Sequence, residues 1–148
     1  MSRRSSAESD AELVLAVKRA VSRFYTRIRS ERPPGDLGDG ALEVLARVEK
    51  YGPHTLTELS DFYRVTPASM SQSVNRLTSS GYAERVRDPA DGRRVLIAAT
   101  DEGARLSVEA RGRRDAWISA HLATLDDGDR EVLRRASDIL LRMADGRE

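Results

Sequence analysis

The chain contains no cysteine, which excludes a disulfide framework, a thiolate zinc site and a thiol redox sensor. No apolar run approaches the roughly 18 residues needed to span a membrane. The first ten residues, M-S-R-R-S-S-A-E-S-D, are polar and lack the apolar core of a signal peptide. Residues 1–10 are therefore expected to be a disordered tail, and the compartment is most simply cytoplasmic. Only two histidines are present, His54 and His121, without ligand spacing between them, so no metal and no cofactor are expected. There is no G-x-S-x-G, no phosphate loop and no Cys–His pair. The abundant carboxylates sit at helix starts and turns, where structure explains them. No enzyme is expected on these grounds.

What remains is a soluble globular composition, 39% hydrophobic and 33% charged over 148 residues, enough for one domain with a core. Net charge is only +1, yet it is unevenly spread. Residues 64–94 carry six arginines against three acids, and residues 1–32 come to +4, whereas 101–148 come to −2. A neutral chain with a basic centre can still bind phosphate locally.

That centre holds Thr66–Gly81, T-P-A-S-M-S-Q-S-V-N-R-L-T-S-S-G. Thr66 suits a helix N-cap, Pro67 the first turn and Gly81 the end. Met70, Val74 and Leu77 fall on one apolar stripe. Ala68, Ser69, Gln72, Asn75 and Arg76 face the other way, short, polar and free of acids. Such a face suits a helix pressed into a DNA groove; a serine-rich surface helix is the plain alternative. Before it, Thr55-Leu56-Thr57-Glu58 is a capping box opening a short helix with Leu56, Leu59 and Phe62 inward. Two short helices joined by Arg64-Val65 form a helix-turn-helix, or else a plain helical hairpin. After it, Tyr82–Asp88 and Val95–Thr100 are strand-like and flank Pro89-Ala90-Asp91-Gly92, a turn. A hairpin in that place is the wing of a winged helix. Arg85, Arg87, Arg93 and Arg94 lie on it, and wing arginines can clamp phosphates or enter the minor groove. Asp88 and Asp91 would repel DNA and are expected to hold arginines and stiffen the wing.

Flanking helices complete the chain. Leu13, Val17, Ala20, Val21, Phe24 and Ile28 repeat at helical spacing, giving a helix from about Ala7 to Ser30 that Pro33-Pro34-Gly35 ends. Its arginines at 19, 23 and 27 read as a solvated face, with a basic stripe near DNA as the other possibility. Asp39 is expected to cap a second helix with Leu42, Leu45 and Val48 inward, stopped by Gly52-Pro53. Thr100 is expected to cap a helix to about His121 with Leu106, Ala110, Trp117 and Ile118 apolar. Leu125-Asp126 starts a last helix striped by Val132, Ala136, Ile139, Leu140 and Met143, ending near Gly146. The terminal stripes lack partners enough within one chain. A dimerisation layer is inferred, with a monomeric helical cap as the other possibility.

The stretches A-L-E-V-L-A-R-V-E-K-Y-G-P-H-T-L-T-E-L, V-T-P-A-S-M-S-Q-S-V-N-R-L and G-Y-A-E-R-V-R-D-P-A-D-G-R-R-V-L-I-A-A-T-D-E-G resemble the MarR family of bacterial winged helix-turn-helix transcriptional regulators. The D-P-x-D-x-R wing followed by T-D-E-G is the most specific part. The resemblance implies a mostly α fold with a small β wing, a winged helix over about 37–100 and dimerisation helices over about 11–32 and 101–146. It makes residues 11–148 one domain. It also implies a homodimeric regulator, most often a repressor, on a pseudo-palindromic double-stranded DNA site, in many members released by a small aromatic or anionic effector. By position, Thr66, Ser69, Ser71, Gln72 and Arg76 match recognition-helix contacts. Arg93 matches the wing arginine that pairs with Asp88 or touches DNA, and Arg94 beside it is a further candidate contact. Gln72 stands where arginine is common, favouring adenine over guanine, and Ala99 stands where leucine is usual. Tyr25, His54 and Trp117 are candidates for an effector pocket, with core packing as the other role. A winged helix used only for protein contacts is the rival reading; an acidic outer face would favour it, and Thr66–Gly81 carries no acid.

Overall fold

Leu45, Leu59, Val74, Leu77 and Ile97 are completely or almost completely buried, and they belong to one small core. The computed structural model describes residues 2–33, 35 and 37–146, with side chains from Ser9 onward. The core is built by α2 (Asp39–Tyr51), α3 (Leu56–Tyr63) and α4 (Pro67–Ser79), with β1 (His54–Thr55), β2 (Ala83–Arg87) and β3 (Val95–Ala99). The strands form an antiparallel sheet in the order β1-β3-β2. Each wholly buried aliphatic side chain contributes about 1.5–3 kcal/mol of transfer free energy.

The central helix follows its local signals. Thr66 Oγ1 accepts the Ser69 amide at 3.2 Å and Pro67 occupies the first turn. Met70, Val74 and Leu77 are buried on one side. At the far end Gly81 takes φ 76°, so that Gly81 N bonds Thr78 O and Tyr82 N bonds Leu77 O at 2.9 Å. This closure sends the chain straight into β2. The hairpin pairs Ala83 with Ala99 through Arg87 with Val95; β2 is one residue shorter at each end than the sequence reading, and β3 starts at Val95 as read and ends one residue earlier. The two-residue β1 was not foreseen; it pairs His54 with Ile97 and Thr55 with Leu96.

Helix α5 spans Asp101–Leu122 and α6 spans Asp127–Asp145. Gly103, Ser107 and Ala110 are the buried seam of α5. Thr100 caps it, accepting Gly103 N at 3.1 Å and donating to Gly81 O at 2.7 Å. A Cβ on Gly103 would stand 1.9 Å from Tyr82 O, so only glycine permits this approach. Asp126 caps α6 through Asp129 N at 2.8 Å, and Gly146 ends it at φ 63°.

Several expectations are corrected. Helix α1 runs over Ser2–Ser30, so helix replaces the tail expected at residues 2–10; no proline or glycine interrupts that stretch, and a helix already formed can propagate through it. Met1, Pro34, Asp36, Arg147 and Glu148 lie outside the described residues. Asp39 does not cap α2; Gly38 holds that position without a side-chain bond. The Asp39 carboxylate pairs instead with Arg29 and Arg32. Phe62 is not inward but 56% exposed, with the Arg47 guanidinium 3.4 Å from its ring centroid. The inward place in that turn goes to Ser60, whose hydroxyl donates to Leu56 O.

Where one domain was read, the contacts fall into two compact units, residues 1–114 and 115–148. In the first, α1 exposes Leu13, Leu15, Val21 and Phe24. In the second, α6 has no buried residue and exposes Val132, Ile139, Leu141 and Met143.

Candidate nucleic-acid interface

Helix α4 presents Ala68, Ser69, Gln72, Asn75 and Arg76 as exposed residues, while Ser71 is half-buried on its flank. Thr66 is exposed too, but its hydroxyl is engaged at the cap and donates to Ser69 Oγ at 3.1 Å. Gln72 has no protein hydrogen-bond partner among the described residues, so its amide is available. Asn75 differs: its Oδ1 accepts Arg85 Nη2 at 2.8 Å, with Arg85 Nη1 on Thr78 Oγ1 at 3.3 Å. Arg76 lies against the start of α2, where a Cβ on Gly38 would be 3.0 Å from its Nη1. There it lines a cleft of about 490 Å³ with Pro33, Leu37, Leu42, Tyr82 and Leu106.

Before α4, the turn rests on Arg64, the only non-glycine residue with positive φ, 52°, among those described. Its backbone lets Val65 N reach Ser60 O at 3.1 Å. Sequence gave no signal for this, because asparagine or glycine usually marks a left-handed position. Tyr63 just before it donates to Glu43 O at 2.7 Å. Burial, then the nearby Glu43 charge, push its pKa up to about 12, so it is a neutral donor at physiological pH.

On the wing, Asp88 Oδ1 accepts Ala90 N and Asp91 Oδ1 accepts Arg93 N, so both acids stiffen the turn. Arg87 Nη1 donates to Gly92 O at 3.0 Å. The arginine facing Asp88 is Arg94, at 3.5 Å, not Arg93. Arg94 Nη2 also donates to Glu58 Oε1 at 2.8 Å. Arg93 meets only Asp91 among the described residues, and its side chain is 94% exposed. Glu58 Oε2 accepts Thr55 N at 2.8 Å; that backbone bond and the Arg94 charge hold its carboxyl below the usual range.

A cationic hairpin beside a polar, acid-free helix is the layout of a winged helix that meets nucleic acid. A model of the MarR family matches residues 36–94. The HTH-type transcriptional regulator Mb0904 of Mycobacterium bovis is 33% identical over 138 residues, 93% of this chain and 96% of that protein. The chain belongs to the MarR family. As a MarR-family protein it is a transcriptional regulator and not an enzyme. Its fold matches a MarR family protein from Bacillus stearothermophilus (TM-score 0.80, 21% identity, 93% of this chain and 96% of that one). It also matches Streptococcus pneumoniae FabT, solved in complex with DNA (TM-score 0.75, 18% identity, 94% and 97%).

The pocket candidates Tyr25, His54 and Trp117 belong to three different elements, α1, β1 and α5. Tyr25 is exposed under Arg29, 5.3 Å from its ring centroid. His54 is half-buried in β1, its Nδ1 2.7 Å from Gly52 O. Trp117, in the second unit, stacks on His121 with centroids 3.9 Å apart. None of the three lines the cleft beside Arg76. Among the described residues no three His, Asp or Glu side chains gather as metal ligands, and no helix is long and apolar enough to cross a membrane.

Proposed function

We propose that this regulator is a cytoplasmic homodimer that represses transcription by binding a pseudo-palindromic site on double-stranded DNA. The observation that carries the reading is the pairing of an acid-free α4 face, open at Gln72, with a wing whose Arg93 is 94% exposed. Gln72 reads a base, adenine by preference, with Ser69 and Ser71 beside it. Thr66, Arg76 and Arg93 contribute backbone contacts, which position without specifying. The open apolar faces of α1 and α6 are covered by a second copy, and two-fold protein matches two-fold DNA. A small aromatic or anionic effector releases the site; the cleft beside Arg76 has the charge and room for one.

Selection of bound fragments from the source genome with the purified protein tests this. A recurring inverted repeat is expected. Recovery of fragments with no common sequence, or of none, would favour a winged helix that contacts only protein.

A further inference from the structure

The wing's arginines differ in what they face. Arg93 points outward, Arg87 closes the turn on Gly92 O, and Arg85 fastens β2 to α4 through Asn75 and Thr78. Arg94 is fastened most remotely, to a carboxylate 36 residues earlier in the chain. One of its terminal nitrogens donates to Glu58 Oε1 at 2.8 Å and the other faces Asp88 Oδ2 at 3.5 Å. Glu58 is meanwhile half of the α3 capping box, bonded to Thr55 N. One guanidinium thus joins the turn end of the hairpin to the first turn of α3. The backbone link alongside it is the two-residue pairing of β1 with β3, and the buried Ala83 and Ile97 tie the base of the hairpin into the core, so the Arg94 link acts on its turn end.

We propose that Arg94 is a positioning residue and not a DNA contact: through Glu58 it fixes the pitch of the wing against α3 and α4. Arg93 at the tip and Gln72 on α4 then meet one duplex at one spacing. The inference rests on the DNA-binding reading above. An exposed ion pair adds little to stability, so its consequence is geometric. Two carboxylates already face the guanidinium, which leaves it little attraction for a phosphate.

The test compares Arg94→Ala, Glu58→Gln and the double variant with the wild type by fluorescence anisotropy. Glutamine at 58 can still complete the capping box, so the second variant removes the ion pair and keeps the helix start. Each protein is titrated with the inverted-repeat duplex recovered by selection and with a shuffled duplex, over a range of salt. Both single changes are expected to lower the cognate-to-shuffled affinity ratio about two- to fivefold. The double variant should lose no more than either single one, and the salt slope should stay at the wild-type value. The proposal is overturned if Glu58→Gln keeps the full ratio while Arg94→Ala weakens both duplexes with a slope shallower by about one. Arg94 would then hold a phosphate. It is equally overturned if all three variants bind as the wild type does. A wild type that selects no duplex brings down the DNA-binding reading, and this inference with it.

Discussion

Replacing Gly103 by alanine sets two physical effects against each other within α5. Alanine favours a helix interior over glycine by about 1 kcal/mol, so propensity alone makes Gly103→Ala stabilising. Packing says the reverse. The new Cβ would lie 1.9 Å from Tyr82 O, 2.8 Å from Tyr82 C and 3.0 Å from Leu45 Cδ1. Leu45 can rotate, but the Tyr82 carbonyl is backbone, and it already accepts Thr100 N at 3.1 Å. Restoring ordinary contact at 3.4 Å requires α5 to retreat by roughly 1.5 Å, which strains the Thr100 bonds to Gly81 and Tyr82. Overpacking of this kind costs about 1–3 kcal/mol or more, and a clash with backbone belongs at or beyond the upper end. The net expectation is a loss of about 2 kcal/mol, lowering Tm by about 6 °C for a chain of this length. Gly112→Ala is the internal control, since nothing lies within 4 Å of a Cβ there; it should raise Tm by a degree or more. Thermal melts followed by circular dichroism measure both. If Gly103→Ala melts at or above the wild type, the seam between α5 and Tyr82 does not constrain the fold as argued.

Gln72→Ala should lose affinity for the selected site, by about 1–3 kcal/mol, and keep most of its affinity for shuffled DNA; an unchanged ratio in a competition assay removes Gln72 as a reader. Arg93→Ala should weaken both duplexes and flatten the salt dependence by about one unit, so an unchanged slope and affinity would mean the wing does not touch DNA. Ile139→Asp with Leu140→Asp should give monomers or insoluble chain in sedimentation, and a wild type monomeric at micromolar concentration would refute the dimer. Tyr63 titrates near 12 when folded and near 10 when unfolded. Its raised pKa means the stabilisation is complete below pH 10 and lost as pH rises through 12. Tyr63→Phe should abolish that alkaline component, as urea melts at pH 8 and pH 11 would show.

Local signals gave the elements, and remote partners escaped them. The Thr66 cap, Pro67 and Gly81 bound α4 because each acts on its own few residues, and the T-x-x-E box starts α3 for the same reason. The hairpin was legible from Asp91-Gly92 between two strand-like runs. By contrast β1 is two residues long, too short to show a period. Arg64 takes a left-handed conformation because two helices must join there, which its own chemistry does not announce. Phe62 matched an inward position by spacing, yet Arg47 from α2 offers its ring a cation to stack on at the surface. The partner of Asp88 was misread for a related reason. Arg93 and Arg94 both lie in the turn before β3, and which of the two turns back toward Asp88 is set by the backbone of that turn, where Asp88 N bonds Arg94 O and Arg94 N bonds Asp91 O. The reach from Arg94 to Glu58 crosses 36 residues, and no sequence spacing encodes it.

The same contacts narrow where α4 can read. Its outer face looked uniform in sequence, from Ala68 to Arg76, but the folded chain uses the two halves differently. In the C-terminal half, Asn75 is committed to Arg85 of the wing and Arg76 leans on Gly38 at the start of α2. In the N-terminal half, Ser69 is engaged at the Thr66 cap and Gln72 has no hydrogen-bond partner among the described residues, and both are exposed. Groove-docked helices place their N-terminal residues at base edges, so this is the half that would enter. Under the proposed function, base discrimination is then concentrated at Gln72 and its neighbours. Arg76 joins α4 to the cleft instead, where a bound anion would compete for the same guanidinium. A change at Arg76 would therefore alter affinity and effector response together, whereas a change at Gln72 would alter the preferred sequence alone.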